Sequence, residues 1–245
     1  MKQFGLIGLP LGHSFSKKYF TAKFADELID AQYNLYELPE ISHFKTLIAE
    51  IDFSGLNVTI PYKEQVIPFL DELDVTAAEI GAVNVIKFTS NNGKTRLKGY
   101  NSDAIGFEKS LKPWLKPHHT KALILGTGGA SKAIRYVLQK LGIHTTYVSR
   151  SAHAEQLTYA DLNAEIMDKY TVVVNASPVG TFPHADECPA IPYEHLTDKH
   201  LLFDVVYNPT ETLFLKKGRE KGASGLNGEG MLIGQAEAAW EIWNA

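Results

Sequence analysis

ALILGTGGASKAIRYVLQKL, Ala122 to Leu141, decides the fold of this chain. The apolar run Ala122–Leu125 reads as a buried strand, and the glycines after it mark a turn. From Ala130 to Leu141 the apolar residues recur at helical spacing. Strand, glycine turn and helix, in that order, open a dinucleotide-binding βαβ unit. Its glycines permit a tight turn and let the backbone approach a pyrophosphate, and the helix amino terminus supplies free N–H donors and a favourable dipole. Gly126, Thr127, Gly128, Gly129 and Ala130 are the candidate contacts. A glycine turn that merely joins two packed elements is the alternative, and the strand before and helix after favour the nucleotide.

The next strand bears on the cofactor. Ribose recognition in NAD uses an acid about 20 residues past the turn. Here the region reads TTYVSRS, Thr145 to Ser151, with no acid and with Arg150 in its place. A guanidinium can hold a 2′-phosphate bidentately, flanked by the hydroxyls of Ser149 and Ser151, so NADP is expected. As an ordinary solvated side chain, Arg150 would leave the choice open. Thr171–Val174 and Leu201–Val206 read as further strands.

Upstream, KPWLKPHHTK, Lys112 to Lys121, reads as an exposed, proline-bearing linker between domains. The first third alternates strands (Phe4–Leu9, Gln32–Glu37, Gly55–Thr59) with helices (Ser14–Leu28, Ile41–Ile51, Pro61 to about Leu70). Val83–Phe88 and Arg96–Lys98 flank an Asn92-Gly93 hairpin signal. A mostly parallel sheet covered by helices follows, with a hairpin near its edge. The chain is therefore α/β in both halves. Glu229–Trp243 is an amphipathic helix.

At 245 residues with 44% hydrophobic and 21% charged residues, the composition is that of a soluble globular protein. A net charge of -4 argues against nucleic acid as partner. Cys188 is the sole cysteine, which excludes an intrachain disulfide and suggests a reducing, cytoplasmic setting with an inert thiol. The apolar start is too short and too interrupted by Gly5, Gly8 and Pro10 for a signal or membrane segment. The histidines lack metal-ligand spacing, so no metal is expected.

GLNVTIPYK, Gly55 to Lys63, places Asn57 and Thr59 on one strand face, toward whatever Lys63 reaches. An amide, a hydroxyl and an ammonium at one spot suit a small, hydroxyl-rich anion. This segment resembles the shikimate dehydrogenase family. So do GLPLGHSFS (Gly8–Ser16), GAVN (Gly81–Asn84), GYNSDAIG (Gly99–Gly106), DVVYNP (Asp204–Pro209) and GLNGEGMLIGQA (Gly225–Ala236). Singly, each has a structural explanation: Ser14 as a helix cap, Asp103 as a helix-start acid. Together, in the family's order and with the glycine turn, they are hard to explain by chance.

The resemblance implies a substrate-binding domain of residues 1–104 and 228–245, to which the last helix returns. It implies a Rossmann-type NADP domain of residues 105–227. Catalysis would rest on Lys63 and Asp103. Substrate contacts would come from Ser14, Ser16, Asn57, Thr59, Asn84, Tyr207 and Gln235, with the two serines holding a carboxylate. Val205 and Gly228 would join the cofactor contacts. The implied reaction is reversible reduction of 3-dehydroshikimate to shikimate by NADPH, on the route to aromatic amino acids, by a monomer or homodimer. A cleft between the two domains, closing to exclude water, is also implied. The chain departs from the family at Ser149, Ala154, Thr181 and Val205; Ala154 suggests a thinner phosphate clamp. An NAD-using quinate/shikimate dehydrogenase, a non-catalytic nucleotide sensor and an interaction module are the rivals.

Overall fold

The structure is a computed structural model that describes residues 1–12, 14–91, 93–151 and 156–245, without the side chain of Asn91. Asn92 of the expected turn and Ala154 of the expected clamp lie outside the described residues. The chain divides into two compact units, Met1–Ile105 with Gln235–Ala245, and Gly106–Gly234.

Unit 1 runs β1 (Lys2–Gly8), α1 (Phe15–Asp26), β2 (Ala31–Glu37), α2 (Phe44–Glu50), β3 (Phe53–Val58), β4 (Glu72–Leu73), α3 (Val75–Ile80), β5 (Val85–Asn91), β6 (Lys94–Tyr100) and the start of α4 (Ser102–Leu111). Its sheet has the order β2-β1-β3-β5-β6-β4. β1 pairs in parallel with both β2 and β3, and the β5–β6 hairpin adds antiparallel pairs beside them. Alternation decides which way each strand residue faces. Ile7, Leu56 and Val58 pack with Phe44 and Val66 on one side. Phe4, Leu6 and Tyr33 pack with Phe20, Phe24 and Trp243 on the other. Fully buried rings such as Phe4 and Phe20 each contribute about 2 kcal/mol. Gly55 is required by this second layer, because a Cβ there would stand 2.3 Å from Trp243 Nε1.

The expected helix from Pro61 to Leu70 does not form. Residues 61–66 make turns, followed by a 3-10 turn at Ile67–Phe69. The cause lies in Pro68, which has no N–H to give the Glu64 carbonyl and whose ring clashes with it. The expected second helix begins as a 3-10 turn, Ile41–His43, before α2.

Unit 2 continues from α4 with β7 (Lys121–Leu125), α5 (Gly129–Lys140), β8 (His144–Ser149), β9 (Leu157–Thr158), α6 (Ala164–Lys169), β10 (Val172–Asn175), β11 (Leu201–Asp204), α7 (Leu213–Glu220), β12 (Ser224–Leu226) and the first turns of α8 (Glu229–Asn244). All its strand pairs are parallel, in the order β12-β11-β10-β7-β8-β9. Read from β9, that is the doubly wound 3-2-1-4-5-6 arrangement. Residues 112–121 do not link the units as expected; they join α4 to β7 inside unit 2. His119 is buried there rather than exposed. Its Nδ1 accepts from Lys116 N at 2.9 Å and its Nε2 lies 3.1 Å from Lys199 O. Burial therefore lowers its pKa, and the Lys199 carbonyl opposes the shift.

Candidate active site

In unit 1 the turn after β3 aims Lys63. Tyr62 and Val66 are buried on either side of it, and the Tyr62 hydroxyl donates to Leu38 O at 2.6 Å. Val83 N donates to Lys63 O at 2.7 Å, which fixes the backbone. Lys63 Nζ then donates to Asp103 Oδ2 at 2.6 Å, across 40 residues of sequence. Their side chains are only 14% and 10% exposed, so water screens the pair little.

Asp103 sits in the first turn of α4, where the N-terminal end of the helix favours negative charge. Asn101 caps that turn by accepting from Ala104 N at 3.2 Å and ties it to Ala82 O at 2.9 Å. The other carboxylate oxygen accepts from Asn84 Nδ2 at 2.8 Å. Asn84 also donates to Ser102 Oγ at 3.0 Å, and its Oδ1 accepts from Ser102 N at 2.6 Å. Its whole amide is engaged within unit 1, and the effect is to aim the Asp103 carboxylate.

Of the other candidates, Asn57 and Gln235 bond into this network, while Ser14 and Thr59 are held elsewhere in unit 1. Asn57 Nδ2 donates to Asn84 O at 3.1 Å, and its Oδ1 accepts from the Tyr33 hydroxyl at 2.7 Å. Ser16 lies near enough to the same phenol for its hydroxyl to favour the ionised form. Burial raises the Tyr33 pKa well above its ordinary value, against the Ser16 contact, so the phenol keeps its proton. Gln235, on α8, accepts from Ser102 Oγ at 3.4 Å. Ser14 caps α1 by accepting from Lys17 N at 3.3 Å. A capping hydroxyl uses only its oxygen, and its proton remains to be donated. Thr59 follows β3 directly and packs on Gly8, where a Cβ would stand 2.4 Å from the Thr59 methyl.

Tyr207 belongs to unit 2, past the end of β11, and is 37% exposed. Tyr33 and Ser102 were not singled out by sequence. Tyr33 had a signal in hindsight: an inward tyrosine on an alternating strand needs a partner for its hydroxyl. Ser102 had none beyond its place beside Asp103.

In unit 2 the strand order reverses between β7 and β10, and ligands of such sheets bind outside the carboxyl ends of the strands at that point. Gly126 leaves β7 with φ 103, a conformation that favours glycine, and lies against Ser177 in the loop after β10. Gly128 is the N-cap of α5 and has no side chain to satisfy the first N–H groups. Among the described residues, nothing lies within 4 Å of where its Cβ would be. Arg150 is exposed immediately past β8, near enough to Tyr159 for its charge to lower that phenol's pKa against the larger effect of burial. The Ser149 hydroxyl donates to Ser151 O. A nucleotide diphosphate with a further phosphate fits this donor set. Gly228 must be glycine, since a Cβ there would stand 2.1 Å from Val205 O.

Asp204, fully buried at the end of β11, ties these loops together. It accepts from Asn175 Nδ2 at 2.9 Å, Thr212 Oγ1 at 2.6 Å and Val206 N at 3.1 Å. Burial pushes its pKa up to about 6, with the three donors opposing the shift. The folded protein therefore holds a proton on Asp204 between about pH 4 and pH 6 that the unfolded chain has lost. This contribution to stability is complete below the unfolded value of 3.8 and is lost as pH rises through about 6. Urea unfolding at pH 4 and pH 7 should show wild type losing up to about 3 kcal/mol relative to Asp204→Asn over that interval. Parallel profiles for the two proteins would refute the assignment.

Residues 6–86 match the family model for the shikimate dehydrogenase substrate binding domain. A shikimate dehydrogenase (NADP(+)) of Halothermothrix orenii is 40% identical over 262 residues, covering 98% of this chain and 89% of that protein. The chain belongs to the shikimate dehydrogenase family. Among solved structures, shikimate dehydrogenase from Aquifex aeolicus shares 36% identity with a TM-score of 0.86, covering 100% of this chain and 92% of that one. A quinate dehydrogenase from Corynebacterium glutamicum in complex with NAD shares 26% identity with a TM-score of 0.88, covering 99% and 93%. The shikimate dehydrogenase fold thus accounts for both units, a parallel-rich α/β sheet and a Rossmann-type sheet. Among the described residues, no helix is long and apolar enough to cross a membrane, and no group of three or more His, Cys, Asp or Glu side chains could hold a metal ion.

Proposed function

We propose that this chain catalyses the reversible, NADPH-dependent reduction of 3-dehydroshikimate to shikimate, as a step toward aromatic amino acids. Unit 1 takes the substrate and unit 2 the cofactor. The contact between Lys63 Nζ and Asp103 Oδ2, set inside a polar network of a family member, is the observation that carries the reading.

Bound NADPH supplies the hydride. As the ring ketone becomes an alkoxide, the Lys63 ammonium stabilises the growing negative charge and gives up a proton to it. Asp103 holds that ammonium in place and accepts a hydrogen bond from a neighbouring hydroxyl of the ring. Asn84 keeps the carboxylate aimed. In the oxidative direction the same pair takes the proton back. Ser14 and Ser16 donate to the substrate carboxylate. Asn57, Thr59, Tyr207 and Gln235 orient the hydroxyls, and a site that pairs each hydroxyl rejects analogues lacking one.

The first glycine turn and the α5 amino terminus take the pyrophosphate, and Arg150 takes the 2′-phosphate. Arg150→Ala should weaken NADPH binding about tenfold or more, the scale of a lost charge-assisted pair, with little change toward NADH. Equal losses for both cofactors would contradict the 2′-phosphate role. NADPH oxidation followed with and without 3-dehydroshikimate tests the whole reading; substrate-dependent oxidation is expected, and tight NADPH binding without turnover would favour a nucleotide sensor.

The likeness to an NAD-bound quinate dehydrogenase favours one second reading, an NAD-using enzyme acting on quinate as well as shikimate. Arg150, and the lack of an acid from Thr145 to Ser151, weigh against it. Initial rates with both cofactors on both substrates separate the two.

A further inference from the structure

Between the Ser16 hydroxyl and the Asn57 amide lies a phenol to which the motifs give no role. Tyr33 is 3% exposed and stacks on Phe20, with ring centroids 4.8 Å apart and planes at 15°. The ring is therefore held from both its face and its edge. Proton counting fixes the direction of each bond at its hydroxyl. Asn57 Oδ1 can only accept, so the single Tyr33 proton goes there at 2.7 Å. Ser16, whose hydroxyl lies beside the same oxygen, can then only donate to it.

Asn57 is constrained in turn. With Oδ1 facing the phenol, one Nδ2 hydrogen goes to Asn84 O at 3.1 Å and the other remains to be donated. A flipped amide would set Oδ1 against the Asn84 carbonyl, two acceptors with no proton between them, and would leave the phenol proton facing an N–H group.

We propose that Tyr33 is a positioning residue that fixes the polarity of Asn57, so that Asn57 presents an N–H donor to an acceptor oxygen of the substrate ring. The inference rests on the reading of unit 1 as the substrate-binding unit. The same phenol gives Ser16 a resting partner. A substrate carboxylate, as a charged acceptor, forms the stronger bond and turns the Ser16 proton toward itself. Losing that bond leaves Tyr33 donating to Asn57 alone, and the amide keeps its orientation in both states.

Tyr33→Phe keeps the stack on Phe20 and removes only the hydroxyl. KM for 3-dehydroshikimate should rise about tenfold or more, the consequence of a buried acceptor left unpaired, while kcat and KM for NADPH stay within about twofold. In an Asn57→Ala background the same change should have almost no further effect on KM, because the group through which it acts is gone. An unchanged KM would overturn the inference. So would a penalty persisting in full without Asn57, or an equal loss in KM for NADPH. If Tyr33→Phe does not fold, the Tyr33 hydroxyl proton of the wild type, followed by NMR, decides the matter. It should shift on adding shikimate and not on adding NADP, and a signal indifferent to shikimate overturns the inference. Wild type without turnover of 3-dehydroshikimate sinks the functional reading as well; normal wild type with an unaffected Tyr33→Phe sinks this inference alone.

Discussion

Lys63→Ala is expected to lower kcat about 100-fold or more, with a much smaller effect on KM for the substrate. General acid–base groups contribute on that scale because they act on charge that develops only in the transition state. Lys63 is suited to the task by placement. Its ammonium is largely shielded from solvent and held at 2.6 Å from a carboxylate, so the proposed proton transfer would need no search for a productive rotamer. Removing one partner of a largely buried ion pair also costs stability, about 3 kcal/mol in comparable sites. Turnover should therefore be compared on protein shown to melt cooperatively above the assay temperature. A variant with near-normal kcat would remove Lys63 from the chemistry.

Asp103→Asn should reduce kcat by a similar factor, about 100-fold, and raise KM for the substrate as well. The two carboxylate oxygens meet two donors, Lys63 Nζ on one side and Asn84 Nδ2 on the other. An amide offers one oxygen and one NH2 group, so one of those donors must face another donor. If the oxygen stays with Asn84, the lysine loses both its counter-charge and its aim. If the oxygen turns to Lys63, the Asn84 amide loses its acceptor and the link toward Asn57 loosens. The substrate hydroxyl would lose a charged acceptor in either case, which is why KM should move here and hardly at all in Lys63→Ala. Steady-state rates over a range of 3-dehydroshikimate concentrations check both parameters. A loss confined to KM would place Asp103 in binding alone.

The legible part of this fold was carried by local chemistry. The run from Ala122 to Leu141 could be read because strand, glycine turn and helix are each specified by adjacent residues, and β7 and α5 follow it within one residue at every edge. Lys63 and Asp103 could be named only through motif resemblance, since no periodicity brings together residues separated by 40 positions. The failures have physical causes. A proline seven residues into the supposed helix at Pro61 outweighed the favourable start. The polar, proline-bearing stretch before β7 resembled a linker, yet His119 finds a backbone donor and a backbone acceptor and is buried among them. Tyr33, Ser102, Asn175, Asp204 and Thr212 escaped notice because each acts through partners distant in sequence. Only the folded chain shows that a phenol sits between Ser16 and Asn57, or that Asp204 gathers the ends of β10 and β11.

Lys63, braced by Asp103, is proposed to deliver the proton that accompanies hydride transfer. Single-turnover reduction of 3-dehydroshikimate by NADPH and by its deuterated form, in wild type and Lys63→Ala, tests it most directly. The chemical step should be slowed about 100-fold or more in the variant, with a clear deuterium isotope effect on that step. A variant whose hydride-transfer rate matches the wild type would contradict it.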